Sequence, residues 1–417
     1  MPVYPSHSKT AMNPFRVATS VLVVLFSTGA QARDIRVGTD CTTIAEAIKA
    51  AGPGDTVHLE PKVYREYAGF YSKKGLPGQP ITLDGHGATL EGADPLDPQQ
   101  WRQVSPGLFA ADNLMTRLDD AMLGRWFFRF AGRIIHMGRT SKGKSAPFKK
   151  PEELSPGEWT FQKDAARALP NNPQVFGTFF IRLKSGESLA DAQIEVPVRS
   201  GGVQMGGNNA HLVIRNITAT HPYNDGFNIH GDCRDVVFEN IRAIECGDDG
   251  ISAHESAQYQ VRGFVSIGNS TGICDTGTSE TSYDGVLIRD CIGHDLFFPA
   301  TGRYMVKNAL IISSAQQALT VSKSGPQQSC FVQLENVWMI RQGELKEAII
   351  GPDTILEARN CTFENMRFRN SGTQNLYECL VGDQSQAQGT ASGADQASLK
   401  RRINPEKAVV LDSEPPR

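Results

Sequence analysis

An all-β solenoid built from parallel strands is the fold class that this sequence predicts, and three observations predict it. The pattern Asp-Gly-apolar-x-x-His occurs twice, at Asp225–His230 and Asp249–His254, twenty-four residues apart. Short runs rich in β-branched residues recur at a similar interval from Gly202 to about Leu380. Glycine is abundant, with 40 residues, which suits a fold with many tight turns. Such a repeat stacks one coil on the next, so matching residues form ladders along a parallel β-helix.

Composition excludes several classes of function. The chain has 417 residues and a net charge of −3, so no basic surface is expected for nucleic acid or an anionic membrane. No apolar segment is long enough to span a bilayer. The eight cysteines form no C-x-x-C pair, and H-E-x-x-H is absent, so no zinc site is predicted. Cys291 and Cys361 follow the Asp or Asn of a repeat and are predicted to be buried apolar side chains.

Residues 1–32 have the pattern of a signal peptide. Lys9 and Arg16 supply positive charge, Val17–Phe26 is a short apolar core, and Ala30-Gln31-Ala32 fits a cleavage site. We therefore expect an exported protein, whether periplasmic, secreted or cell-surface.

Residues 33–97 are predicted to contain an N-terminal cap and the first coils. Thr43 and Glu46 form a capping box that opens a helix over Ile44–Ala51, and a strand is expected at Thr56–Leu59. This run, with GLPGQPITLDGHGATLEG after it, resembles the opening of the pectate-lyase-like right-handed parallel β-helices. The resemblance implies that the helix plugs the first coil, where an open solenoid end would expose its core and its strand edges.

The periodicity disappears over residues 98–198, where we expect a β-rich insertion. The segment holds three of the four tryptophans, and the alternation in Phe179–Leu183 predicts antiparallel strands. It is similar to the insertion of some β-helical glycosidases, including one group of β-xylosidases. The alternative is a set of elaborated loops on the solenoid.

The periodic β-helix is predicted over residues 199–380, followed by a polar, low-complexity tail over 381–417 that is expected to be disordered. A turn residue recurs in the repeats and is predicted to hydrogen-bond the backbone through its side chain. The predicted register residues are Asn216, Asn240, Gly263, Asp290, Asn308, Asn336 and Asn360.

Strand alternation predicts two outward histidines on neighbouring coils. In the first copy of the motif, Phe227 and Ile229 point inward, and Asn228 and His230, which alternate with them, point outward. His254 repeats the position one coil later, and Thr276 stands there in the third coil. His230 and His254 are therefore expected to stack on the exterior.

Three aspartates are the predicted catalytic residues. Asp225 and Asp249 begin matching strands, and Asp248 lies beside the second. Stacked carboxylates repel, so one should have a raised pKa while another stays ionised, which is the division that glycoside hydrolysis requires. Direct stacking predicts a carboxyl separation near the roughly 5–5.5 Å of retaining enzymes rather than the roughly 6.5–9.5 Å of inverting ones.

The same acids resemble motifs of the polygalacturonases. Asn224-Asp225 is similar to their Asn-Thr-Asp, without the threonine, and Gly247-Asp248-Asp249 matches their Gly-Asp-Asp. The resemblance implies that Asp225 and Asp248 activate water and that Asp249 is the general acid. Thr271-Gly272-Ile273 replaces the Gly-His-Gly of that family, and Arg303 and Lys307 correspond loosely to its Arg-x-Lys.

Two alternatives stay open. Gly226–His230 is similar to the Gly-Phe-Asp-Pro-His motif of mannuronan C5-epimerases, which implies proton transfer on a uronic acid, although Asn228 replaces the acid. Such a lyase or epimerase could hold Ca²⁺ on the three aspartates and would need a basic residue, with Arg262, Lys307 or Lys323 as candidates. The other alternative is a non-catalytic glycan-binding or cell-surface solenoid whose aspartates only form turns.

The leading hypothesis is a glycoside hydrolase acting on a polysaccharide or oligosaccharide, with no metal required. Its substrate-binding residues would be His230, His254, Asn228, Arg303 and Lys307.

Overall fold

The fold is a right-handed parallel β-helix, seen in a computed structural model that describes residues 31–115, 118–323 and 329–382. Residues 1–30 of the predicted signal peptide and residues 383–417 of the predicted tail lie outside the described residues. Parallel strands from successive coils form one sheet of fourteen strands and another of nine. The predicted fold class is therefore confirmed.

The N-terminal part begins with a short helix over the first coil. Its elements are β1 Asp34–Arg36, α1 Ile44–Ala50, β2 Thr56–His58, β3 Val63–Tyr64, β4 Ala68–Tyr71 and β5 Ile81–Glu91. The capping box is present, since Thr43 Oγ1 accepts from the Glu46 amide at 3.2 Å and Glu46 Oε2 accepts from the Thr43 amide at 3.2 Å. Ile44 and Ile48 enter the core of the solenoid, so α1 closes its end.

Between β5 and the later coils, the chain forms two antiparallel sheets of four strands each. The elements there are β6 Ala93–Pro95, β7 Arg102–Ser105, β8 Leu108–Asp112, α2 Asp120–Arg125, β9 Phe128–Phe130, β10 Arg133–Ile135, β11 Trp159–Lys163, β12 Gly177–Arg182 and β13 Ile194–Pro197. Trp126 and Trp159 are fully buried in an aromatic core with Phe179. This core is separate from the core of the solenoid.

The later coils alternate short strands of the nine-stranded sheet with long strands of the fourteen-stranded sheet. The short strands are β14 Val203–Gly206, β16 Phe227–Ile229, β18 Asp249–Ala253, β20 Thr271–Asp275, β22 His294–Phe298, β24 Gln317–Val321, β26 Lys346–Ile350 and β29 Met366–Asn370. The others are β15 Ala210–Thr220, β17 Arg234–Ile244, β19 Gln258–Ile267, β21 Glu280–Arg289, β23 Arg303–Ser313, β25 Cys330–Arg341, β27 Thr354–Arg359, β28 Thr362–Glu364, β30 Thr373–Tyr377 and β31 Leu380–Gly382.

Each of the long strands β15, β17, β23 and β25 turns a corner at an asparagine with left-handed backbone, a conformation that asparagine tolerates well. Hydrogen bonds between the asparagine side chains of neighbouring coils replace the predicted hydrogen bonds to the backbone. Asn240 Nδ2 donates to Asn216 Oδ1 at 3.0 Å, and Asn336 Nδ2 donates to Asn308 Oδ1 at 3.2 Å. These amides therefore form a ladder along the corner.

One predicted register residue is wrong. Arg262 pairs with Asp284 and Phe264 with Val286, so Gly285 follows Gly263 in the corner ladder. Asp290 instead follows the end of β21, beyond the pair formed by Ile267 and Arg289. Glycine fills the corner in these two coils because, like asparagine, it adopts a positive φ.

The buried cysteines behave as predicted. Cys291 and Cys361 are 2% and 0% exposed, and all eight cysteines have free thiols. No helix among the described residues is long and apolar enough to cross a membrane.

Candidate functional site

The three predicted aspartates come together at the start of β16 and β18. One oxygen from each of Asp225, Asp248 and Asp249 lies within 4.8 Å of the others. The amide of Asp249 also donates to Asp225 Oδ1 at 3.0 Å. We call these three residues the acid cluster.

The Asp-Gly pairs help to explain this convergence. A Cβ at Gly226 would lie 2.8 Å from both Ala243 Cβ and Gly250 O, and one at Gly250 would lie 2.6 Å from Ser266 Oγ. A larger residue would have to displace the interior at these tight corners. The glycines therefore hold successive aspartates in register, one coil apart.

A segment of the insertion covers the acid cluster, which sequence reasoning missed. We call Thr140–Lys144 the strap. Lys142 Nζ lies 2.8 Å from Asp248 Oδ1 and also donates to Asp249 Oδ1. Arg125 of α2 donates to Asp248 Oδ2 at 2.9 Å, and Ser141 Oγ donates to Asp248 Oδ1. The insertion thus supplies two cations to the carboxylates of the solenoid.

The strap is anchored on the coils that follow the acids. Thr140 Oγ1 lies 2.7 Å from Ser270 Oγ. The backbone N–H and C=O of Lys144 each make a 2.9 Å hydrogen bond with the side-chain amide of Gln316. A Cβ at Gly293 would lie 2.7 Å from Thr140 Oγ1 and 2.9 Å from Lys142 O. The strap therefore lies close against the solenoid and leaves the side chains of Asp248 and Asp249 only 12% and 5% exposed.

The pKa values of the three acids diverge. Burial and the charge of Asp248 raise the pKa of Asp225 to about 6. Burial and the neighbouring charges of Asp248 and Asp225 raise the pKa of Asp249 well above its usual value, despite Lys142. Burial also acts to raise the pKa of Asp248, but the charges of Lys142 and Arg125 outweigh it and lower this pKa. Of these two neighbours, Asp249 is thus the carboxyl that is protonated more readily, and Asp248 the one that ionises more readily.

Lys142 keeps its charge in this environment. Burial by itself acts to lower the pKa of Lys142, but the charges of Asp248 and Asp249 raise it well above the usual value. The ammonium is therefore a permanent counterion of the cluster rather than a base.

The predicted histidine stack is present beside the acids. The rings of His230 and His254 lie 4.0 Å apart and are nearly parallel, at 4°. His254 Nε2 is 3.2 Å from Ser252 Oγ, and this hydroxyl donates to Asp225 Oδ2 at 2.8 Å. Burial and His230 lower the pKa of His254 to about 4, so the ring is neutral near pH 7.

The other predicted binding residues separate into two groups. Asn228 is close to the acids, with Oδ1 3.4 Å from Ser252 Oγ. Arg303 and Lys307 lie on β23, where Arg303 covers the ring of Phe331 and Lys307 Nζ pairs with Glu335 at 3.2 Å. The structure therefore does not place these two cations beside the acid cluster, and Lys142 and Arg125 stand there instead.

Comparison with solved structures supports the fold. No family model matches the chain, and no curated protein matches it. XylC, solved in complex with xylose, superposes with a TM-score of 0.50 at 11% identity, covering 88% of this chain and 81% of its own. The pectate lyase Pel9A gives 0.43 at 12% identity, covering 88% and 82%, and a family 28 exopolygalacturonase of Yersinia enterocolitica gives 0.28 at 12% identity, covering 83% and 78%. At these identities the likeness concerns the right-handed parallel β-helix fold alone.

Proposed function

We propose that this chain is an exported glycoside hydrolase that cleaves a polysaccharide or oligosaccharide at the acid cluster. The observation that carries the proposal is the unequal surroundings of two adjacent carboxyls. Arg125 and Lys142 both contact Asp248 and lower its pKa, whereas burial and neighbouring negative charge raise the pKa of Asp249. Asp249 would protonate the leaving oxygen as general acid, and Asp248 would remain a carboxylate.

The spacing of the oxygens favours a retaining reaction. One oxygen from each aspartate of the acid cluster lies within 4.8 Å of the other two. This separation leaves little room for the water that an inverting enzyme places between its two carboxyls. Asp248 is then better suited to attack the sugar as nucleophile than to activate water with Asp225. The configuration of the first-formed product, followed by NMR, decides this point, because retention supports direct attack and inversion contradicts it.

Sugar must reach acids that the strap now covers. We infer that substrate enters when Lys142 moves off Asp248, and that Arg125, which stays on Asp248, then limits the negative charge near the bound sugar. His254 and Asn228, which are linked to Asp225 through Ser252, would bind sugar hydroxyls.

A uronate lyase is the second candidate, because the acid oxygens are close enough together for one Ca²⁺ with oxygen ligands at roughly 2.3–2.6 Å. The ion would have to compete with the Lys142 ammonium. A lyase also needs a base that is unprotonated near pH 7. The charged Lys142 does not supply one, so the neutral ring of His254, whose lowered pKa makes it a weak base, would have to serve.

The deciding experiment compares the wild type with Asp249→Asn on a panel of neutral and acidic polysaccharides. We expect reducing ends from the wild type, and a loss of at least a hundredfold in the variant from removal of the general acid. Asp235→Asn, an exposed aspartate of β17, is the matched control and should retain full activity.

Other outcomes separate the alternatives. Full activity of Asp249→Asn on every substrate of the wild type would contradict the hydrolase assignment. Products with the absorbance of an unsaturated uronate, lost on adding EDTA, would establish a calcium-dependent lyase instead. Glycan binding without product, unchanged when all three aspartates are neutralised, would establish a binding protein.

A further inference from the structure

Two rows of outward side chains run along the nine-stranded sheet from the acid cluster to the N-terminal end. The polar row follows the strand register from Ser252, which is itself buried, through the half-buried Asn228 and Gln204, and it ends at Gly69, which has no side chain. Each step is one strand spacing, so the row spans roughly 14 Å. It begins at Ser252, whose hydroxyl donates to Asp225.

The second row is aromatic. Its positions, in order from the acid cluster, are His254, His230, Gly206 and Tyr71. Tyr71 Cδ1 lies 3.2 Å from where a Cβ of Gly206 would stand, so the tyrosine ring covers the gap that this glycine leaves. The aromatic surface therefore extends from the stacked histidines to the first coil.

Two exposed tyrosines end this row. Tyr67 and Tyr71 are 42% and 59% exposed, and their rings converge over Gly69, where a Cβ would lie 3.0 and 2.8 Å from them. The hydroxyl of Tyr71 donates to Gln204 Oε1 at 3.1 Å, which joins the aromatic row to the polar row. An exposed aromatic face beside fixed amides suits a sugar, because the sugar has an apolar C–H face and a rim of hydroxyls.

A recess of about 340 Å³ lies between these tyrosines and α1. Lys49 and Lys73 line it together with Ala45, Ile48 and Gly69, and no aspartate or glutamate is among its lining residues. Lys73 Nζ donates to Lys49 O at 3.0 Å, and the three donors of an ammonium allow further bonds to a ligand. Asp55, whose charge acts on Lys73, does not line the recess. The recess therefore fits an anionic group next to an aromatic platform.

We propose that this face binds one extended glycan chain and that Tyr67 and Tyr71 form a distal subsite for a sugar unit that carries a carboxylate. This proposal rests on the proposed function in one respect, namely that the glycan bound at the distal subsite is the same glycan that is cleaved at the acid cluster. Continuity of the two rows with Ser252 and His254 selects a polymer as the occupant, and the two lysines select an acidic one.

The first test measures binding without turnover. Asp249→Asn is run in native gels that contain polygalacturonate, alginate, xylan or glucomannan, and again with Tyr67→Ala and Tyr71→Ala added. We expect retardation by at least one of the two acidic polymers and an apparent dissociation constant at least tenfold higher without the tyrosines. Adding Tyr377→Ala instead, an equally exposed tyrosine at the other end of the solenoid, should change nothing.

A charge test addresses the carboxylate. Lys49→Gln should weaken binding of the acidic polymer severalfold, whereas Lys74→Gln, an exposed lysine that does not line the recess, should not. Equal retardation with and without the two tyrosines, or no retardation by any of the four polymers, overturns the subsite. Binding to neutral polymers alone overturns its preference for a carboxylate.

Kinetics distinguish this proposal from the assignment of the acids. In the otherwise wild-type enzyme, loss of the two tyrosines should raise KM for the polymer about tenfold, leave kcat unchanged and leave cleavage of short oligosaccharides unaffected. An equal change for short and long substrates overturns a distal subsite. If Asp249→Asn stays active while the tyrosine variants lose binding, the hydrolase assignment fails and the subsite stands.

Discussion

Lys142 Nζ lies 2.8 Å from Asp248 Oδ1, although 106 residues separate the two in the chain. This contact joins the insertion to the solenoid at the only group of three acidic or metal-binding residues found this close together within the described ranges. Both partners are nearly buried, with side chains 17% and 12% exposed. In such surroundings each charge depends on the other, because neither retains much contact with water.

Replacing Lys142 with methionine should destabilise the protein by about 3–5 kcal/mol, since it leaves buried carboxylates without their main counterion. The loss should be larger at pH 8 than at pH 5, because Asp225 and Asp249 can take up protons at the lower pH. Urea denaturation at the two pH values measures both effects.

Lys144→Met is the matched control, because it changes an exposed lysine of the same strap whose anchoring bonds come from the backbone. Its stability should stay within about 0.5 kcal/mol of the wild type. Equal losses in the two variants would mean that the charge of Lys142 contributes nothing specific.

The solenoid and the convergence of the acids were predictable because both follow from local spacing. A 24-residue interval places Asp225 beside Asp249, and the same period stacks His230 on His254. Lys142 and Arg125 were not predictable, because they come from a segment without periodicity. The position of such a segment is set by tertiary packing, here the contacts of Thr140 with Ser270 and of Lys144 with Gln316.

The error in the corner ladder has a physical cause. The recurrence of asparagine or aspartate after similar strands predicts Asp290 for the corner, but Gly285 occupies it and adopts the same left-handed conformation. The conformation determines the register, and two residue types adopt it readily. Allowing glycine as well as asparagine at the corner gives the observed order Asn240, Gly263, Gly285 and Asn308.

Gly293→Ala should loosen the strap. The added methyl group would lie within 3 Å of Thr140 Oγ1 and Lys142 O, so the strap must shift, at a cost of about 1–3 kcal/mol. We expect trypsin to cut after Lys142 or Lys144 several times faster, and kcat/KM for the substrate to rise if movement of the strap admits sugar.

Gly124→Ala provides the comparison, because its Cβ would lie at an ordinary 3.4 Å from Thr140 O. Unchanged proteolysis in Gly293→Ala would show that the strap absorbs the methyl group. A fall in kcat/KM together with faster proteolysis would show that the closed strap is the reactive form.

Asp295→Asn should stabilise the protein at alkaline pH. Asp295 follows Gly272 in the ladder of glycines, is fully buried, and makes no well-aligned hydrogen bond to the described residues. Burial raises its pKa to about 7, despite nearby Ser313 and Arg341. Ionisation therefore favours unfolding, and the penalty grows from about pH 4 to pH 7 and is constant above.

The variant should match the wild type at pH 4 and exceed its stability by roughly 3–4 kcal/mol at pH 8, at about 1.4 kcal/mol per pKa unit. Asp353→Asn, at an exposed carboxylate, should show no such dependence. A constant difference between wild type and Asp295→Asn across this range would mean that Asp295 does not titrate on unfolding.

The pH dependence of kcat/KM should reveal which acid carries the proton. Asp249 must be protonated and Asp248 ionised, so activity should persist at low pH and decline as pH rises through the raised pKa of Asp249. Because the charge of Asp225 helps to raise that pKa, Asp225→Asn should shift the alkaline limb to lower pH. The limb gives an apparent pKa to which the neighbouring carboxyls contribute, so the shift in Asp225→Asn measures how strongly Asp225 acts on the proton donor. Asn228→Ala leaves the charges unchanged and should lower kcat/KM without moving the limb. An alkaline limb that stays in place in Asp225→Asn would mean that Asp249 is not the group that titrates.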